Sequence, residues 1–204
     1  MTKILLTSNG FFTDLIKQQF LQLIDGDLSN QKATIITTAS HKKQNNRFAM
    51  KAKEDLLGFG FKKVDFNDIE FDKPELLEKY NVIYINGGNP FYLLYHLKKS
   101  GADLKLKELA KQNTILVGGS AGAIILGPNI NVIDYFTPQM NTVNIKDLTA
   151  LRITEEAIIP HYDREDLFPD ASSKTIEDRL KVFEKLNNCS VVRLKDDQYL
   201  LINN

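Results

Sequence analysis

Apolar residues along this chain alternate between two spacings. Short runs rich in β-branched residues read as strands: Lys3 to Ser8 (KILLTS), Lys32 to Ser40 (KATIITTAS), Asn81 to Ile85 (NVIYI) and, more weakly, Val64 to Phe66. Between them, apolar positions recur at helical spacing. Thr13 and Asp14 open a helix carrying Leu15, Ile16, Phe20, Leu21, Leu23 and Ile24. A second helix runs from Phe48 to Leu57 and stops at Gly58 and Gly60. Pro74 starts a short helix, Asn89 caps one that begins at Pro90, and Leu104 to Gln112 forms another amphipathic segment. Thr114 to Gly127 (TILVGGSAGAIILG) then joins a strand to a helix through a turn of small residues.

Beyond that turn the pattern predicts short strands at Val132–Ile133 and Leu151–Ile153, a better strand at Ala157 to Tyr162, and a capped helix over Ser172 to Leu186. Ser190 to Leu194 and Tyr199 to Ile202 are expected to pair as a terminal hairpin across Asp196-Asp197. Strand and helix signals in alternation imply a doubly wound, mostly parallel α/β sheet with helices on both faces. No repeat, linker or low-complexity stretch divides the 204 residues, so one domain over 1–204 is expected.

Composition narrows the partners. Lys plus Arg and Asp plus Glu are both 26, so no net field recruits nucleic acid or an anionic membrane. No apolar run approaches the length needed to span a bilayer. The single cysteine, Cys189, excludes an internal disulfide framework and suits a reducing compartment, which makes the cytoplasm the expected location. A monomer or small homo-oligomer is expected.

The chemistry concentrates in the small-residue turn. Gly118, Ser120 and Gly122 form G-x-S-x-G between strand and helix, the setting in which that pattern marks a nucleophile elbow. The following helix start favours negative charge and makes the Ala121 amide an oxyanion donor. Neither G-x-G-x-x-G nor G-x-x-x-x-G-K-[ST] is present there, which argues against a phosphate cradle. Of the three histidines, His161 stands at a strand end and is the preferred base, ahead of His41 in a polar loop and His96 within a helix. Asp134, Asp147, Glu155 and Glu156 all lie between Ser120 and His161, in the chain order of the α/β hydrolases; Asp134 is preferred and Asp147 is the alternative. Gly87 or Gly88 supplies the second oxyanion donor. An acidic loop at His161, Asp163, Glu165 and Asp166 invites a metal-hydrolase reading, but such loops are more often solvated turns, and neither metal nor cofactor is expected.

Three blocks in order, Ile85-Asn86-Gly87-Gly88-Asn89, Gly118-Gly119-Ser120-Ala121-Gly122-Ala123 and Pro160-His161-Tyr162, resemble the peptidase E family of serine peptidases, aspartyl dipeptidases related to cyanophycinase. The resemblance implies a class I glutamine amidotransferase-like fold, Ser120 as nucleophile, His161 as base, and Gly88 with Ala121 as oxyanion donors. Asp134 matches the family's acid with a one-residue shift. Arg179 matches the second arginine of a helix that in the family binds an acidic substrate side chain, so Arg179 and Asn89 become the expected substrate contacts. The implied activity is hydrolysis of small peptides, including Asp-X dipeptides, through an acyl-enzyme. A non-catalytic binding module on the same fold is the alternative.

Overall fold

Burial with a period of two along the strands decides how the layers form. The protein, seen in a computed structural model, is described at residues 2–170 and 172–203. In β1 (Lys3–Thr7), Ile4 and Leu6 enter one core and Leu5 the other. The same split separates Ile83 and Ile85 from Val82 and Tyr84 in β4 (Val82–Ile85), and Leu116 from Ile115 and Val117 in β5 (Ile115–Gly119). A sheet apolar on both faces needs helices on both.

With β2 (Ala33–Ile36), β3 (Val64–Asn67) and β8 (Tyr199–Asn203), these strands form a six-stranded sheet in the order β3-β2-β4-β5-β1-β8. All neighbours are parallel except β8, which runs antiparallel to β1. Helices α1 (Asp14–Gln22) and α2 (Arg47–Phe59) cover one face through Ile16, Phe20, Ala49, Ala52 and Leu56. The other face takes α3 (Pro90–Ser100), α4 (Ala102–Lys111), α5 (Ala121–Leu126), α6 (Asn131–Phe136) and α7 (Ile176–Asn187). Pro74–Lys79 is a 3-10 helix.

Three expectations fail after the elbow. Val132–Ile133 is not a strand but part of α6, where Val132, Ile133 and Phe136 bury one helical face. Leu151–Ile153 is not a strand either. The amides of Leu151, Arg152, Ile153 and Thr154 bond the carbonyls of Ile125, Gly127 and Leu126, satisfying the buried carboxyl end of α5. The terminal hairpin does not form: β7 (Val191–Arg193) pairs in parallel with β6 (Ala157–Ile159) in a separate two-stranded sheet, while β8 crosses to cover the outer edge of β1. Covering that edge removes a row of unpaired backbone groups. It also carries the β7–β8 connection over the carboxyl end of β1, because Tyr199 pairs with Thr7.

Candidate active site

The elbow is built by close packing. Ser120 follows β5 and caps α5 with φ 50° and ψ −112°, a sparsely populated conformation that costs about 1–3 kcal/mol and persists only when its surroundings fix it. Its amide donates to the Thr7 carbonyl at 3.0 Å, and its own carbonyl accepts from the Ala123 and Ile124 amides. At Gly122 a Cβ would stand 2.0 Å from the Ile85 carbonyl oxygen, so glycine alone lets α5 sit this tightly on the end of β4. The serine hydroxyl is left at the tip.

Ser120 Oγ lies 2.9 Å from His161 Nε2, and His161 Nδ1 lies 2.6 Å from Asp196 Oδ1. An ionised carboxylate only accepts, so Nδ1 carries the proton and Nε2 is free to take one from the serine. His161 reaches this position just past β6 with a φ of 58°. Fully buried Ser8, at the carboxyl end of β1, ties the pair to the main sheet: its hydroxyl accepts from the His161 amide at 2.7 Å and donates to Asp196 Oδ1 at 2.9 Å. The Ser8 oxygen is also 3.2 Å from His161 Nδ1. Asp196 is held by an Asp163 carboxylate oxygen accepting from its amide, and Arg164 lies 3.6 Å from its second oxygen.

Opposite the serine stands the Gly87-Gly88 loop, close enough that a Cβ on Gly87 would be 3.1 Å from Ser120 Cβ. Gly88 takes φ +145°, and a Cβ there would lie 2.2 Å from the Ala39 carbonyl oxygen, so this turn requires glycine. The amides of Gly87, Gly88 and Ala121 donate to no described residue, which leaves donors on both sides of the serine. A cavity of about 550 Å³ opens from Ser120, His161 and Gly88.

Other expected residues are placed elsewhere. Asp134 sits in the first turn of α6, and its carboxylate is not on His161; the position belongs to Asp196, which follows the histidine in the chain. Asp147 is on the surface with Lys98, whose hydrogen bond, with those from Thr149, holds the carboxyl down at about 2. Asn89 lies outside the cavity lining: its oxygen caps α3 by accepting from the Phe91 and Tyr92 amides, and its nitrogen donates to the Met140 carbonyl. Arg179 is 8% exposed, bonded to the Phe168 and Phe136 carbonyls and stacked 4.1 Å over the Phe136 ring, outside the cavity lining. With Asp170 3.8 Å from its Nε, the buried guanidinium is committed to structure. His41 and His96 both stack on Tyr92. Glu165 bonds the Ile176 amide at the start of α7, and Asp166 pairs with Arg164.

Asp196 and Ser8 were not among the expected site residues. Asp196 looked like a hairpin turn, and only the parallel pairing of β7 with β6 and the edge position of β8 bring it to the histidine.

A serine, a histidine and a carboxylate in line at the carboxyl edge of a mostly parallel sheet define a hydrolase-type site on a doubly wound α/β fold. The profile of peptidase family S51 matches residues 4–204, and the chain belongs to that family. Among its relatives, the uncharacterized peptidase Lmo0363 of Listeria monocytogenes is 30% identical over 80% of this chain and 79% of its own. Peptidase E of Streptomyces coelicolor is 26% identical over 62% of this chain and 50% of its own. A crystal structure of a candidate peptidase E protein from Listeria monocytogenes EGD-e superposes with a TM-score of 0.77 at 26% identity, covering 99% of this chain and 94% of that one. Family membership makes peptidase the class of activity. Among the described residues, no helix is long and apolar enough to cross a membrane.

Proposed function

We propose that the chain is a serine peptidase that hydrolyses small peptides through an acyl-enzyme on Ser120. The observation that carries this reading is the unbroken line from Ser120 Oγ to His161 Nε2 and from His161 Nδ1 to Asp196. Ser120 Oγ attacks the scissile carbonyl as His161 takes its proton, and Asp196 stabilises the imidazolium that forms. The carbonyl oxygen, now negative, is received by the amides of Gly88 and Ala121. Collapse of the tetrahedral intermediate expels the amine, which leaves with the proton held on His161. Water, deprotonated by the same histidine, then releases the acid and restores the serine.

A cavity of about 550 Å³ matches a short peptide rather than a folded chain. An Asp-X preference loses its expected cation, because Arg179 is committed to the Phe168 and Phe136 carbonyls. The cytoplasm is the compartment we propose, on the ground that the only cysteine is free. The test is turnover of a dipeptide panel by wild type and by Ser120→Ala. Cleavage abolished in the variant supports the reading; equal cleavage by both proteins rejects it.

A further inference from the structure

Resting on the serine-peptidase reading, we infer that the cavity beside Ser120 selects a large apolar or aromatic residue next to the scissile bond, with Phe12 and Phe48 as the selecting walls. The cavity runs from the elbow between the segment after β1 and the first turns of α2, and both phenylalanines line it. They are 60% and 48% exposed and belong to neither core. Their apolar surface faces the space a substrate would fill, and burying it there is favourable.

The floor beneath them is rigid. Phe11 packs against Phe20, Phe59 and Tyr84 with ring centroids 4.9, 5.2 and 5.6 Å away. Aromatic pairs at these separations hold one another in place, so the cavity does not need to reshape around its occupant. The Tyr84 hydroxyl lies under Gly119, where a Cβ would be 2.5 Å from it, one residue before the nucleophile. That hydroxyl bonds no described residue, and near-complete burial, with Asp55 nearby, drives its pKa far above the usual phenol value. It therefore remains a neutral donor, suited to an uncharged side chain that ends in a polar atom.

Of the charged side chains that line the cavity, Lys17, Lys51 and Asp55, each ammonium is paired and the carboxylate is the most buried. Lys51 is paired with Asp55 one helical turn away, and Lys17 with Asp14 at 3.0 Å. Lys51 is 61% exposed, whereas the Asp55 side chain is only 11% exposed. A second carboxylate entering beside Asp55 would meet like charge and compete for a lysine already engaged.

The experiment compares kcat/KM for Phe-Gly, Leu-Gly, Ala-Gly and Asp-Gly on wild type and Phe48→Ala, with fluorophosphonate labelling of Ser120 read by intact mass in parallel. The expected result is that Phe-Gly and Leu-Gly exceed Ala-Gly by ~10- to 100-fold, and that Phe48→Ala cuts the Phe-to-Ala ratio by at least ~5-fold. Because Phe48 packs in neither core, the variant keeps its fold. Preference for Asp-Gly or Ala-Gly overturns the pocket assignment, as does a labelled wild type that cleaves none of the four peptides, while the serine mechanism stands in each case. Failure of Ser120 to label overturns the serine-peptidase reading and the pocket with it.

Discussion

Two polar clusters share the carboxyl edge of this sheet, and each contains a histidine and acidic side chains. In one, Lys43 pairs with Asp68 at 2.9 Å and Glu70 at 2.5 Å, Tyr92 donates to Glu70 at 2.8 Å, and His41 and His96 stack on the Tyr92 ring. Thr38 adds a bond to Asp68. Its charges answer one another, and burial pushes the His96 imidazole down toward its neutral form. In the other, Asp196, His161 and Ser120 form a directed line that ends on a hydroxyl at a cavity, with the Gly87, Gly88 and Ala121 amides left undonated. The first cluster spends its polar groups on holding loops and α3 together. The second leaves a donor-acceptor line and unengaged amides at the cavity, where the surrounding structure holds Ser120 and His161 in strained backbone conformations. Residue types alone do not separate a site from a structural network; what separates them is whether polar capacity remains unspent.

That contrast can be broken by mutation. Ser120→Ala should lower turnover by ~10⁴- to 10⁶-fold, measured under single-substrate steady-state conditions. Lys43→Met, in the saturated cluster, should leave kcat/KM at the wild-type value, and a comparable loss there would erase the distinction. Asp196→Asn should cost ~10³- to 10⁴-fold because the imidazole loses the partner that fixes its tautomer, whereas Asp134→Asn should behave as wild type in the same assay. Ser8→Ala sharpens the comparison further. Removing the hydroxyl between the His161 amide and Asp196 should lower kcat by ~10-fold with KM little changed, since one buried hydrogen bond to a charged group is lost.

The smallest effect belongs to the saturated cluster. Burial pushes the Glu70 carboxyl up, but the Lys43 ammonium and Tyr92 hydroxyl outweigh it and hold the group below its ordinary 4.5. A carboxyl depressed in the fold stabilises fully above its unfolded pKa, and that contribution disappears as pH falls through the folded value. Glu70→Gln should therefore lower stability by about 1 kcal/mol at neutral pH, and the gap from wild type should close below pH 4.5 in urea titrations. A gap that widens on acidification would reverse the sign.

How much of this was legible in the sequence depended on the range of the interactions. β1, β2, β4 and the elbow were readable because apolar runs, small residues and caps act within a few positions, as at Thr13 and Asn89. Ser120 and His161 were readable for the same reason: each sits at the end of a recognisable strand. Asp196 was not. It meets His161 across 35 positions, through a two-stranded sheet and an edge strand whose pairings no local pattern encodes. Asp134 was preferred because it follows the apolar pair Val132-Ile133 soon after the elbow helix, and that pair could not show helix or strand until Phe136 completed the buried face. Ser8, a lone serine after a strand, carried no signal until three-dimensional contacts gave it two partners.

The central claim is that Asp196, acting through His161, activates Ser120. Its most direct test is the rate of fluorophosphonate labelling at Ser120, followed by intact mass in wild type, Asp196→Asn and Asp134→Asn. The account predicts one adduct on wild type and on Asp134→Asn at matching rates, and labelling at least ~100-fold slower in Asp196→Asn. Equal labelling of wild type and Asp196→Asn, or a collapse confined to Asp134→Asn, would contradict it.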